Sequence, residues 1–326
     1  MTAQRIAILL VLIALAALPY WAPGSYYINI SSQILFYAIF ALAVDVLLGY
    51  GGLVSLGHAA LFGIACYGIA VVIGAGWGHF AAIVITLMLT LIATAIYAVL
   101  SLRAVGIGFL MITLAVGQIL WGLAYRWISV TNGDNGLNVQ SRLAILGLSL
   151  SSATAYYYAV LAVFVLCVLM VWVFVNSPFG ATLRGTRDQP RRIDALGYNV
   201  WMIRFCACLF SGLLTGIAGI LFVYYNQFIS PQALALTASA EVVLMVISGG
   251  AGTLLGPIVG AALVVIMKNV ASAYIVRWNF VLGAIFVAIV IFMPEGLVPG
   301  TVRLTRRAYS MITGRAAVPA IGEAKQ

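Results

Sequence analysis

The chain has 326 residues; 64% are apolar, 7% are charged and the formal net charge is +9. An ordinary soluble domain carries roughly 25% charged residues. With a mean hydropathy of +1.15, this composition excludes a water-soluble enzyme and a disordered chain alike. The fold class it implies is all-α: a polytopic integral membrane protein of about ten transmembrane helices (8–10).

In chain order, apolar runs bounded by charge, Gly or Pro fall at 6–18, 30–48, 59–75, 80–100, 106–128, 156–175, 203–225, 239–248, 254–270 and 280–293. A span needs about 20 residues, so the third, eighth and ninth are the shortest candidates for complete crossings. The first also has the shape of a signal peptide, with Arg5, an apolar stretch and Ala14-Leu15-Ala16. Alternating the faces from Arg5 places twelve basic residues inside: Arg5, Arg103, Arg184, Arg187, Arg191, Arg192, Arg204, Arg303, Arg306, Arg307, Arg315 and Lys325. Arg126, Arg142, Lys268 and Arg277 fall outside or at outer span ends. This positive-inside bias predicts two cytoplasmic termini, including a cytoplasmic tail over 301–326, and membrane lipids rather than nucleic acid as the partners of the basic charge. No gap is long enough to fold alone, so residues 1–326 read as a single transmembrane domain. The gap 129–153 is predicted as an outer, turn-rich loop, with two Asn-Gly steps in Thr131-Asn-Gly-Asp-Asn-Gly136.

Several chemistries are missing. Neither Lys268 nor Lys325 follows a glycine, so there is no Walker A loop. His58 and His79 form no HExxH pair, and Cys66, Cys167, Cys206 and Cys208 sit in apolar runs without metal-type spacing, so neither a metal site nor a catalytic set is expected. The acids inside spans are Asp45 and Glu241. A passive pathway, or one powered by another subunit, fits these absences.

Two glycine-rich stretches, 49–63 and 248–260, interrupt apolar runs. Glycine and Pro257 weaken helices there, and irregular backbone at membrane depth persists only where protein buries it or water wets it. Comparable breaks in two halves point to a transport site; close helix packing through small residues is the other reading. Candidate pathway residues are Asp45, Gly51, Gly52, Ser55 and His58 at the first, and Glu241, Gly249, Gly250, Gly252 and Thr253 at the second. An acid precedes each break, and an interhelical clamp is the alternative role for Asp45, Glu241 and His58.

The inner gap, 176–202, is dense in both signs of charge. Asp188-Gln189-Pro190 predicts a helix start and Leu196-Gly197 its end, with Gly197 in a left-handed cap. A two-turn helix is not stable alone in water, so this one should dock, with Ile193 and Leu196 on one face. Its receiver is a groove on a cytoplasmic partner or anionic headgroups. The candidate coupling residues are Leu183, Arg187, Asp188, Arg191, Arg192, Ile193, Leu196 and Gly197.

These segments resemble those of the LivM-type permeases of branched-chain amino-acid ABC importers. The resemblance runs through Leu48-Gly-Tyr-Gly-Gly-Leu-Val-Ser-Leu-Gly-His-Ala-Ala-Leu-Phe-Gly63, Thr131-Asn-Gly-Asp-Asn-Gly-Leu137 and Asn176-Ser-Pro-Phe-Gly180 with Arg187-Asp188. It continues in Ile229-Ser-Pro231, Ser239-Ala-Glu241, Met245-Val246, Gly249-Gly-Ala-Gly-Thr253, Gly256-Pro257 and Met293-Pro-Glu-Gly-Leu297. It implies a multi-pass subunit of the bacterial inner (plasma) membrane that pairs with a second, homologous permease. Two cytoplasmic ATPase subunits, which bind the ATP, and an extracytoplasmic solute-binding protein complete the importer. The chain itself would then be no enzyme and would hold no cofactor. Gly197 and Leu209 match positions of the family's coupling motif, whereas Arg191-Arg192-Ile193 departs from its opening triplet, and Asp45 stands where the family pattern has Asn. Branched-chain or related amino acids are the implied solutes; permeases of this kind also carry urea and short amides. A rival reading is an ion-coupled secondary transporter using Asp45 or Glu241.

Overall fold

A computed structural model of the chain describes residues 17–19, 24–139, 144–145, 148–149, 152–274, 278–293 and 296–301. Most of the first apolar run and all of 302–326 lie outside these residues, so the predicted signal-like segment and tail are not part of the description. The helices are α1 (Ser25–Asp45), α2 (His58–Gly74), α3 (His79–Ser101), α4 (Ile107–Arg126), α5 (Ala153–Asn176), α6 (Pro178–Asp188), α7 (Pro190–Ala195), α8 (Val200–Asn226), α9 (Leu236–Gly249), α10 (Gly256–Tyr274) and α11 (Trp278–Phe292). Each predicted apolar run from 30–48 onward overlaps one of the helices α1–α5 or α8–α11.

Five helical segments are long and apolar enough to cross a membrane: Ser25–Tyr50, His79–Ser101, Ile107–Arg126, Ala153–Asn176 and Val200–Asn226. The apolar helices α2 and α9 are shorter, at 17 and 14 residues. Five full-length candidates among the described residues therefore stand against the ten predicted. Hydropathy counts apolar runs, whereas crossing also depends on unbroken helix length, and the glycine-rich stretches cut α2, α9 and α10 out of longer runs.

Two helices form the centre. In the most apolar window of the first segment 72% of residues are buried, and in that of α8 67%, against 22–28% for α3, α4 and α5. α1 packs against α5, α8, α9 and α10, while α2 packs against α3 and α8. The peripheral helices turn large side chains such as Phe80, Met88, Ile92, Met111 and Leu166 outward. On α3 the inward stripe is Thr86, Thr90 and Thr94, all at zero exposure. Spaced by four, these threonines share one helix face. Thr94 and Thr90 fit against Gly212 and Gly216 of α8; an added Cβ at Gly212 would overlap Thr94, and one at Gly216 would be in tight contact with Thr90. Small residues four apart let backbones approach, so van der Waals contact replaces the hydrophobic drive that lipid cannot supply.

The described residues are mostly helical, as expected, with four two-residue strands among the helices. β1 (Leu137–Asn138) pairs antiparallel with β4 (Phe228–Ile229), Leu137 opposite Ile229, and β2 (Ala144–Ile145) pairs with β3 (Leu148–Ser149). The loop after α4 is likewise more ordered than a plain turn region. A one-turn helix over Ile128–Thr131 ends at Asn132 in the left-handed region, φ 59°. The Val139 N–H then donates to the Gln227 carbonyl (2.9 Å), tying this loop to the end of α8. Two-residue strands are too short for alternation of side chains to reveal.

Candidate functional site

The first break is narrower than 49–63. α1 runs into a π-helical turn over Val46–Tyr50, the chain is irregular from Gly51 to Gly57, and α2 starts at His58. The second is irregular only over 250–255, between α9 and α10. There, close helix packing is evident: a Cβ on Gly249 or Gly260 would collide with backbone of the facing helix. Thr253 Oγ1 donates to the Gly250 carbonyl (2.8 Å) and accepts from the Gly256 N–H (3.0 Å), folding the connection into a capped turn.

The two breaks meet. Asp45, 1% exposed, accepts through Oδ1 a hydrogen bond from the Gly252 N–H (2.8 Å). Gly49 lies so close that a Cβ there would overlap both Asp45 Oδ1 and the Gly252 backbone. The other carboxylate oxygen, Oδ2, is buried without a hydrogen-bond partner among the described residues. Asp45 is therefore a clamp from the end of α1 to the α9–α10 connection.

Arg187 joins the same junction from the segment after α5. Its Nη1 donates to the Gly49 carbonyl, and its aliphatic stem crosses Gly52, whose φ of +68° already calls for glycine. The segment holds two helices where one was predicted. Ser177 caps α6, accepting from the Gly180 N–H (3.2 Å), with Pro178 in the first turn. Gly180, Leu183 and Thr186 form its buried face, with Leu183 at zero exposure. α7 follows over Pro190–Ala195 and ends at Leu196, with Gly197 at φ +87°. That end and the left-handed glycine match the predicted boundary.

The eight candidate coupling residues thus divide. Leu183 and Arg187 reach the first break, and Ile193 packs over Gly185 of α6. Asp188, Arg191, Arg192, Leu196 and Gly197 are exposed. Ile193 and Leu196 do not form one docked face: Ile193 is half-buried while Leu196 is 67% exposed. α7 folds back on α6, so Ile193 is already used within the loop.

Ser55 and His58 belong to a buried chain of hydrogen bonds. Ser211 Oγ on α8 donates to the Ala43 carbonyl (2.6 Å), which uses its single proton. It must therefore accept from His58 Nε2 (3.0 Å), so a neutral His58 accepts at Nδ1 from Ser55 Oγ (2.8 Å). Ser55 in turn accepts from the Tyr97 hydroxyl (2.6 Å). The Ala59 N–H at the start of α2 donates to Ser239 Oγ of α9 (3.0 Å). Together these bonds clamp the first break to α1, α3, α8 and α9.

Glu241 does not reach the second break. It lies on α9 and pairs with Lys268 of α10, Oε2 to Nζ 3.1 Å. Beside that pair, Asn269 Nδ2 donates to Gln33 Oε1 (3.1 Å), and Gln33 Nε2 donates to the Tyr225 hydroxyl (3.1 Å). Sequence reasoning missed Lys268, Gln33 and Asn269 as partners. A lysine inside an apolar run was the available signal, and it was spent on topology. Among the described residues, no group of three or more His, Cys, Asp or Glu side chains is placed to hold a metal ion.

Comparisons with known proteins show the family of the chain. The family described as "Branched-chain amino acid transport system / permease component" matches residues 26–290. The high-affinity branched-chain amino acid transport system permease protein LivM of Salmonella typhimurium is 24% identical over 96% of this chain and 78% of its own length. LivM of Escherichia coli K12 is 24% identical over 91% and 76%. The autoinducer 2 import system permease protein LsrC of Salmonella paratyphi B is 31% identical over 48% of this chain and 45% of its own length. No solved structure matches.

Proposed function

The chain belongs to the family of branched-chain amino acid transport system permease components, and from that premise we propose that it moves branched-chain or related amino acids across the bacterial inner membrane. It is an integral membrane permease component of an ABC transport system, not itself an enzyme, and such systems work with ATPase subunits and a solute-binding protein. In this reading it pairs with a second, homologous permease, two cytoplasmic ATPases bind and hydrolyse ATP, and both termini face the cytoplasm.

The carrying observation is the junction at Arg187. One side chain links α6 to the first break, and Asp45 links that break to the second. A push on α6 is therefore delivered to both interruptions at once. The exposed part of the loop, Asp188, Arg191, Arg192, Leu196 and Gly197, is the surface on which an ATPase would act. Gly51, Gly52, Gly249, Gly250 and Thr253 then lie where helix ends move during transport.

The solute is supported by similarity to LivM along most of the chain. The partial similarity to the autoinducer 2 import permease LsrC supports a second reading, a permease for a small solute other than an amino acid, such as urea or a short amide. The test is to purify the chain with its partner subunits and measure solute-stimulated ATP hydrolysis and import in liposomes. Stimulation by leucine, isoleucine or valine is expected. Uptake by this chain alone under an ion gradient would replace the proposal with a secondary transporter.

A further inference from the structure

The irregular segment between α1 and α2 carries backbone that no described residue pairs. Across 51–56 no carbonyl accepts a hydrogen bond from the described residues, and the N–H groups of Gly52, Val54 and Ser55 donate none to them. Buried peptide groups are almost always paired, so these face something outside the chain. Exposure alternates along the segment: Gly51, Leu53, Ser55 and Gly57 are buried, Gly52 and Val54 are exposed, and Leu56 is half-buried. One edge is therefore open. Its depth follows from its neighbours. Ser55 bonds to Tyr97, four residues before the end of α3, and the Leu56 N–H donates to Thr113 Oγ1 (3.3 Å), six residues into α4. Gly57 lies against Gly117, ten residues into α4. These levels are about 6, 9 and 15 Å in from the helix ends, and both ends lie on one side, joined by residues 102–106. The half-buried amide of Gln118, next to Gly117, also has no hydrogen-bond partner among the described residues. Lipid cannot cover irregular backbone at such depth. Water or another protein must.

We propose that the open edge over 52–56 lines a water-filled stretch of the solute pathway, where its peptide groups exchange water for the ammonium and carboxylate of a passing amino acid. The inference rests on the amino-acid permease reading and deepens it. Free carbonyls accept from an ammonium and free N–H groups donate to a carboxylate, so the edge offers a zwitterion both kinds of partner without a fixed charge. Water satisfies these groups in the resting protein, and a solute that replaces it gains only the difference. Contact is therefore weak, as release on the far side requires. Water is favoured over a partner chain by the way the edge is anchored. Arg187 crosses it at Gly52 and Thr113 holds it at Leu56, so a shift of α6 moves one end against the other. A subunit contact matched group by group to the edge would break at each such shift, whereas water re-forms its bonds.

Thiol chemistry reads the edge directly. In the complete transporter in lipid nanodiscs, Val54→Cys is expected to react with a charged, water-soluble methanethiosulfonate about tenfold faster than Ile92→Cys, whose side chain faces outward from α3. The unsubstituted transporter is the blank for native cysteines. Leucine-loaded binding protein with ATP should slow the Val54→Cys reaction at least threefold relative to empty binding protein with ATP. If Val54→Cys fails to assemble, Leu56→Cys, the next side chain on the same edge, gives the same two readings. Labelling no faster than that of Ile92→Cys in every nucleotide state means that lipid or a second subunit covers the edge, and overturns the proposal. So does labelling that leucine leaves unchanged, which makes the edge a wetted surface off the solute's route. Both failures are read in a transporter that imports leucine. A wild-type transporter that imports no amino acid instead overturns the functional reading, and the choice of ligand with it.

Discussion

Asp45 and Glu241 occupy matching places in the sequence, each an acid in an apolar run shortly before a glycine-rich break, yet the fold treats them oppositely. Asp45 is sealed at the crossing of the two breaks and bound to a backbone N–H. Glu241 stands on a half-open wall and is bound to a lysine. A carboxylate with a backbone partner can hold two chain segments together, because the donor is fixed in the main chain. One paired with a long, flexible ammonium can change partners. Proximity to a break in sequence thus says little about role; the partner and the exposure decide it.

The sharpest way to break this contrast is at Gly49. G49V drives a side chain into Asp45 Oδ1 and the Gly252 backbone, which must separate the breaks. Overpacking of this kind costs about 3 kcal/mol, and thermal unfolding of the purified transporter should show it together with loss of import. R187A comes next. It removes the link from α6 to Gly49 and should lower solute import about tenfold while ATP hydrolysis persists; equal losses of both would show that α6 is needed only for assembly. R191A/R192A, on the exposed surface, should instead weaken association with the ATPases and leave the thermal stability of the chain itself unchanged.

Asp45 itself gives a smaller, graded effect. D45A removes the acceptor of the half-buried Gly252 N–H, at a cost of about 1 kcal/mol, whereas D45N retains an acceptor and should recover most of that stability. Equal damage from both would mean that the negative charge, not the hydrogen bond, is needed. The smallest stability change belongs to the other carboxylate: E241Q should cost under about 1 kcal/mol, the scale of interhelical polar contacts in membranes. A loss as large as that of D45A would erase the distinction between clamp and wall.

Some features were legible before any fold was known. Gly197 was placed by its position after Leu196, because a helix end in the left-handed region selects glycine locally. α6 was missed although Ser177-Pro178 is a helix-start signal; read as part of a charged loop, its buried stripe Gly180, Leu183 and Thr186 is too weakly apolar to stand out. The Gly212–Gly216 spacing on α8 was visible too, but its meaning depends on Thr90 and Thr94 facing it, which lie over a hundred residues earlier.

The residues by themselves determined that the chain enters a membrane, roughly where its helices lie and where they break. Those outcomes depend on burying or exposing short stretches of backbone, a local matter of hydropathy and of glycine. Only the tertiary structure decided that the breaks touch, that Arg187 of α6 meets Gly49 at the first of them, and that Glu241 turns to Lys268 and not to the nearby glycines. Within an apolar chain nearly every helix face is equally oily. The choice of neighbours then falls to a few small residues and hydrogen bonds, whose partners are far away in sequence.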